Sequence, residues 1–152
     1  MRQGSQVEFS GVTAQDYNAM EVQPDGLPYK DVGLWTEEKH RLVAYYAAQF
    51  SGAMKDTFQK RVYIELYAGA GYSQIRESDR IIPGSPINAL NLKDPFDKYI
   101  FCEANAEKRE ALQVRVRRHA PKADVTFVSG TATQMSLPSR LPSPGTPKLI
   151  KF

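Results

Sequence analysis

Cysteine is almost missing from this chain: Cys102 is the only one in 152 residues. A single thiol excludes an intrachain disulfide and a cysteine-based zinc site. Histidine is nearly as scarce. His40 and His119 are too few for a histidine-rich metal cluster. No uninterrupted apolar run approaches the ~18–20 residues of a membrane-spanning helix. The opening Met1-Arg2-Gln3-Gly4-Ser5 has no apolar core of the kind a secretory leader needs. The expectation is therefore a cytoplasmic protein without membrane association. The remaining composition is that of a globular chain, with 41% hydrophobic and 24% charged residues. That excludes collagen-like, mucin-like and wholly disordered classes. A chain of this length buries roughly two-thirds of its unfolded surface and folds without staples.

Charge is unevenly spread. Residues 1–60 hold six Lys/Arg against eight Asp/Glu, whereas from Lys108 onward there are nine against two. A local basic excess points to a phosphate-bearing partner more directly than a basic pI does. Arg109, Arg115, Arg117, Arg118 and Lys122 make up much of it. Contact with nucleic-acid phosphates is one reading of these residues. The other is favourable placement of cations at a helix C-terminus.

The periodicity of the chain predicts alternating helices and strands. Residues 1–26 are polar and without sustained period, read as a flexible N-terminal arm pinned near Leu27. Asp25-Gly26-Leu27-Pro28 has turn chemistry. Thr36 is a candidate N-cap for a helix with Leu42, Val43, Tyr46, Phe50, Ala53, Met54 and Phe58 as its apolar stripe. Residues 62–67 read as a strand buried on both faces. Residues 72–83 show little pattern. Ser85 reads as a cap, with Pro86 at the first turn of a helix that runs to about Leu92. A strand over 98–103, a helix over 106–118 and a strand over 124–128 follow. Residues 136–147 hold four prolines, a loop signal. A fourth strand begins at Lys148. This pattern predicts an α/β fold with a parallel sheet of about four strands, preceded by a helix. Residues 27–152 would form one domain.

Gly69-Ala70-Gly71 follows directly on the first of these strands. Glycine there permits a sharp turn and close backbone approach to a ligand, and open α/β sheets bind ligands at the carboxyl edge of their strands. A dinucleotide fingerprint would need a third glycine where Gln74 stands, which disfavours a nicotinamide cofactor. A nucleoside lacking a pyrophosphate, such as S-adenosylmethionine, demands less. Glu65 could then bind the ligand's amino group, directly or through water. Glu103 could accept hydrogen bonds from ribose hydroxyls. Tyr67 and Tyr72 flank the turn and could stack on adenine or pack on the sheet. Trp35, Lys39 and His40 could form a lid, with His40 as a general acid/base. Alternatively Trp35 staples the helix to the sheet and His40 is solvated. Cys102 reads as a small buried hydrophobe.

The ordered set Asp25-Gly26-Leu27-Pro28, Val32-Gly33-Leu34-Trp35-Thr36-Glu37-Glu38-Lys39-His40, Tyr63-Ile64-Glu65-Leu66-Tyr67-Ala68-Gly69-Ala70-Gly71, Gly84-Ser85-Pro86 and Phe101-Cys102-Glu103 resembles the three-Cys-motif partner proteins. That prokaryotic family looks like class I S-adenosylmethionine-dependent methyltransferases. The resemblance covers about residues 25–131. It implies a Rossmann-like, methyltransferase-type sheet, S-adenosylmethionine as cofactor, and a three-Cys-motif protein encoded nearby as partner. It carries cofactor binding onto Glu65, Tyr67, Ala68, Gly69, Gly71, Glu103, Ala104 and Thr131. Glu65 replaces the family's usual aspartate and keeps its charge. Thr131 stands where the family commonly has an acid or amide that reads adenine. The catalytic stretch of such enzymes follows the fourth strand. Residues 27–152 are therefore expected to be the N-terminal half of such a domain, and residues 1–152 alone to be inactive as a methyltransferase and poorly soluble or self-associating. The rival readings are a non-catalytic interaction partner on the same scaffold and a nucleic-acid-binding module using the basic helix.

Overall fold

The computed structural model describes residues 22–130 and 149–151. Among these residues ten elements follow one another: β1 (Lys30–Val32), α1 (Trp35–Met54), β2 (Val62–Glu65), β3 (Tyr72–Ile75), β4 (Ile81–Pro83), α2 (Ser85–Leu90), β5 (Lys98–Cys102), α3 (Ala106–His119), β6 (Val125–Val128) and β7 (Leu149–Lys151). They build a mixed α/β structure with two small sheets. The larger has the order β6-β5-β2-β7, with every neighbouring pair parallel. Chain order thus reverses at β2: β5 and β6 lie on one side of it and β7 on the other. The smaller sheet has the order β1-β3-β4, parallel then antiparallel.

The long-range core lies on one face of the larger sheet. In register, Tyr63 pairs with Tyr99 and Glu65 with Phe101, which puts these four side chains on that face. Tyr63, Tyr99 and Phe101 are fully buried and meet Phe96 and Phe127, with ring centroids 5.3–6.3 Å apart. Ile87 and Leu90 of α2 and Leu112 and Val116 of α3 close over them. Val32, Ile75 and Ile82 form a separate small core for the second sheet.

Several sequence expectations need correction. Residues 72–83 are not patternless: they form the β3–β4 hairpin, closed by the Ile75 amide donating to the Arg80 carbonyl at 2.9 Å. Its strands are three and four residues long, too short for an alternation to register. Strand β1 escaped notice for the same reason. The first helix starts at Trp35 with Leu34 as cap residue and no side-chain cap, so Thr36 lies inside it. It ends at Met54, and Phe58 lies beyond it in a turn. Its inner face is also rotated. Ala47 and Ser51 are buried, while Leu42 and Tyr46 are 42% and 63% exposed. Small residues let α1 approach α2 closely, and the Ser51 hydroxyl donates to the Asp94 carbonyl at 2.5 Å. Gly84, not Ser85, caps α2, and that helix ends at Leu90. The pinning expected near Leu27 extends further back: Val22 joins the main core, and Asp25 is bound to α3. Residues 1–21 and the proline-rich 136–147 lie outside the described residues.

Candidate functional site

The candidate site lies at the carboxyl edge of β2 and β5. There the chain leaves β2 through Leu66 and Tyr67 and turns at Gly69-Ala70-Gly71. Gly69 and Gly71 have φ of +69° and +87°, a conformation that costs an L side chain roughly 1–2 kcal/mol. Three contacts hold the turn. The Gly69 amide donates to Oε2 of Glu103 at 2.9 Å. The Gly71 carbonyl accepts from the Gly84 amide at 2.7 Å. The Ala70 carbonyl accepts from Nη1 of Arg115 at 2.7 Å.

The two glycines are not equivalent. A Cβ at Gly71 would lie 3.1 Å from Leu112 Cδ1, 3.4 Å from Arg115 Cδ and 3.5 Å from Ile87 Cγ1. Gly71 therefore faces the α2–α3 interior, and its need for glycine is structural. A Cβ at Gly69 would meet nothing within 4 Å. Gly69 is the glycine on the open side. Gly84 serves the same turn, because a Cβ there would fall 2.9 Å from the Gly71 carbonyl oxygen.

Glu65 ends β2 and is buried, with a relative exposure of 8%. Ser85 Oγ donates to its Oε1, and Tyr63 Oη donates to its Oε2 at 3.3 Å. Burial pushes its carboxyl up to about 7, against the pull of Ser85, Tyr63 and the Lys39 charge. This acid is poised between protonation states near neutrality, a common property of functional carboxyls. Glu103 is half-buried just past β5. Its Oε1 accepts from the Asn105 amide at 2.8 Å while Oε2 holds Gly69. A carboxylate has about four lone-pair sites, so both oxygens can still accept a further donor.

The other expected residues divide. Tyr67 is 78% exposed beside the turn and Ala104 is exposed on the same edge, whereas Ala68 is buried. Thr131 lies outside the described residues. Tyr72 cannot stack on a ligand. It is buried, with its hydroxyl 2.6 Å from Nε2 of His119 and its ring 4.2 Å from the Arg115 guanidinium. Trp35 is 69% exposed, so it does not staple α1 to the sheet, and Lys39 Nζ sits 5.6 Å from its ring centroid. His40 is not solvated. Burial lowers its imidazole to about 4, and the Pro83 carbonyl only partly opposes this. Its buried Nδ1 has no well-formed hydrogen bond among the described residues. Cys102 is fully buried, and burial pushes its thiol up.

The basic residues of α3 do not form one surface. Arg115 is completely buried and therefore cannot reach a phosphate. Arg109 is half-buried and donates to the Glu103 and Ala104 carbonyls at 2.9 and 3.4 Å. Arg118 is 3.1 Å from Asp25, and Arg117 is exposed. Among the described residues, no group of three or more His, Cys, Asp or Glu gathers as a metal site, and no helix is long and apolar enough to cross a membrane.

Sequence reasoning missed Ser85 as the partner of Glu65 and Gly84 as the partner of the turn, reading them only as a helix start. It also missed Asp25 and the burial of Arg115. One signal was present: Arg115 falls on the Leu112–Val116 face of α3, where an arginine has to find an anion. No family model and no curated protein matches this chain.

Proposed function

We propose that the edge formed by Glu65, Gly69 and Glu103 binds S-adenosylmethionine, and that the larger sheet is of the methyltransferase-like Rossmann type. The observation that carries this reading is the turn itself. A left-handed glycine is pinned by the acid of the next strand, and its Cβ side is open. In that frame Glu103 accepts the ribose hydroxyls and the Gly69 face admits the ligand backbone-close. Tyr67 covers an apolar part of the nucleoside. Glu65, deprotonated, compensates the ammonium of the methionine moiety, directly or through water. The reversal of chain order at β2 supports the reading, because ligands of open α/β sheets bind at such a switch point. When bound, the cofactor supplies an electrophilic methyl group, and this chain's residues hold and orient it.

The resemblance to the three-Cys-motif partner proteins makes a three-Cys-motif protein the proposed partner. A non-catalytic role as an interaction partner is the second reading. It is favoured by the exposed Trp35, Leu42 and Tyr46, which lie at seven- and four-residue spacing along one side of α1.

Isothermal titration of the 152-residue chain with S-adenosylmethionine tests the proposal. Saturable binding that is weakened at least about tenfold in Glu103→Ala, a loss of roughly 1.4 kcal/mol, is expected. Equal affinity in both proteins, or no binding by either, would refute it.

A further inference from the structure

We infer that Arg115 is a positioning residue for the glycine turn, locked in its working geometry by residues 25–29. The inference rests on the turn being the ligand-binding edge. It concerns what fixes that edge rather than what binds there.

Arg115 has zero exposure, and each of its five N–H donors has a use. Nε and Nη2 hold Oδ2 and Oδ1 of Asp25 at 2.9 and 2.7 Å, a bidentate fork. Nη2 also reaches the Leu27 carbonyl at 3.3 Å, and Nη1 the Pro28 carbonyl at 2.8 Å. The fifth bond leaves this cluster and takes the Ala70 carbonyl. Two aromatic rings also pack against the guanidinium, with the Tyr72 and Tyr29 ring centroids 4.2 and 5.2 Å from its central carbon. Asp25 is itself fixed by the Leu27 amide at 3.1 Å, and Arg115 holds its carboxyl below the usual range.

The functional consequence lies at Ala70. Its carbonyl belongs to the Ala70–Gly71 peptide, and the glycines on either side of Ala70 both have positive φ, where only glycine turns at little cost. Orientation of that peptide decides which way the neighbouring amides face. Arg115 sets it through one hydrogen bond, and the Asp25 fork sets Arg115. An ammonium could supply charge here but not the planar fork or the stacking. The short segment ahead of β1, remote in sequence from β2, thereby acts on the ligand edge without touching a ligand.

The test uses Arg115→Lys and Asp25→Asn in the 152-residue chain, with Arg118→Gln as the comparison because it removes only Asp25's exposed partner. Amide hydrogen exchange is read at Gly69 and Gly84, whose amides report the turn, and at β2 and β5. The expected result for Arg115→Lys and Asp25→Asn is exchange about tenfold faster at Gly69 and Gly84, as for a local opening. The strand amides should be unchanged, S-adenosylmethionine affinity reduced, and Arg118→Gln should behave as wild type. Unchanged exchange at the turn, acceleration spread evenly over β2 and β5, or loss of fold in both variants would overturn the inference. So would undiminished affinity in an Arg115→Lys protein whose turn has loosened. If the wild type binds no S-adenosylmethionine, the ligand assignment fails while the exchange pattern still decides the role of Arg115.

Discussion

Replacing Glu65 by glutamine should stabilise the protein at alkaline pH and leave it unchanged in acid. Glu65 is buried, and its carboxyl is raised from 4.5 to about 7. A group whose folded-state pKa is raised binds its proton more tightly when folded. The Glu65 contribution to stability is therefore full below pH 4.5, falls as pH rises towards 7, and is flat above that. Every tenfold gain in proton affinity on folding corresponds to about 1.4 kcal/mol, so the ionised acid costs the fold about 3 kcal/mol at pH 8. Glutamine never ionises. Its amide can donate to Ser85 Oγ, which then accepts instead of donating. The variant should gain up to ~3 kcal/mol at pH 8, less any misfit at Tyr63, and nothing at pH 4. Urea unfolding followed by far-UV circular dichroism, from pH 4 to 8.5 in both proteins, reads the difference directly. Histidine titrations cancel between the two. A gap that does not change with pH, or a wild type more stable than the variant at pH 8, would refute the reasoning. The functional counterpart is that Glu65→Gln should lose affinity for S-adenosylmethionine while gaining stability, a trade expected where a buried acid is kept for binding.

Two further expectations come from the same edge. Gly71→Ala should destabilise by about 2–4 kcal/mol, adding a left-handed residue to overpacking against Leu112, whereas Gly69→Ala should cost only the ~1–2 kcal/mol of conformation. Urea midpoints of the two variants check the order, and equal losses would contradict the assignment of Gly71 to the interior. His40 should titrate near pH 4 by NMR. Because its folded pKa is depressed, its contribution to stability is present above pH 6.5 and lost as pH falls from 6.5 towards 4. His40→Gln should abolish that part of the acid sensitivity, and an imidazole midpoint near 6.5 would show that it is not buried.

The elements legible in the sequence were those with a long or emphatic signal. β2 and β5 carry near-continuous β-branched and aromatic runs, and α3 sets Ala111, Leu112 and Val116 at helical spacing. The hairpin over 72–83 hid because strands of three and four residues offer only one or two alternations. The face of α1 was misread because hydrophobic size pointed to Leu42 and Tyr46, whereas close helix approach selected Ala47 and Ser51. At the site, Glu65, Gly69 and Glu103 were visible from the strand–turn–acid order. The roles of Ser85 and Gly84 were not, because they depend on α2 folding back onto β2. Arg115 was placed among exposed cations because charge content alone does not show burial. Its partner Asp25 lies 90 residues away, a separation that no local pattern encodes.

The most direct test of the ligand edge is a titration of the isotope-labelled chain with S-adenosylhomocysteine, followed amide by amide. The account predicts saturable shift changes concentrated at Gly69, Glu103, Ala104 and Tyr67, with the Gly69 amide among the largest because it donates to the Glu103 carboxylate that takes the ribose. No shift at millimolar ligand, or shifts confined to Arg117 and the far end of α3, would contradict it.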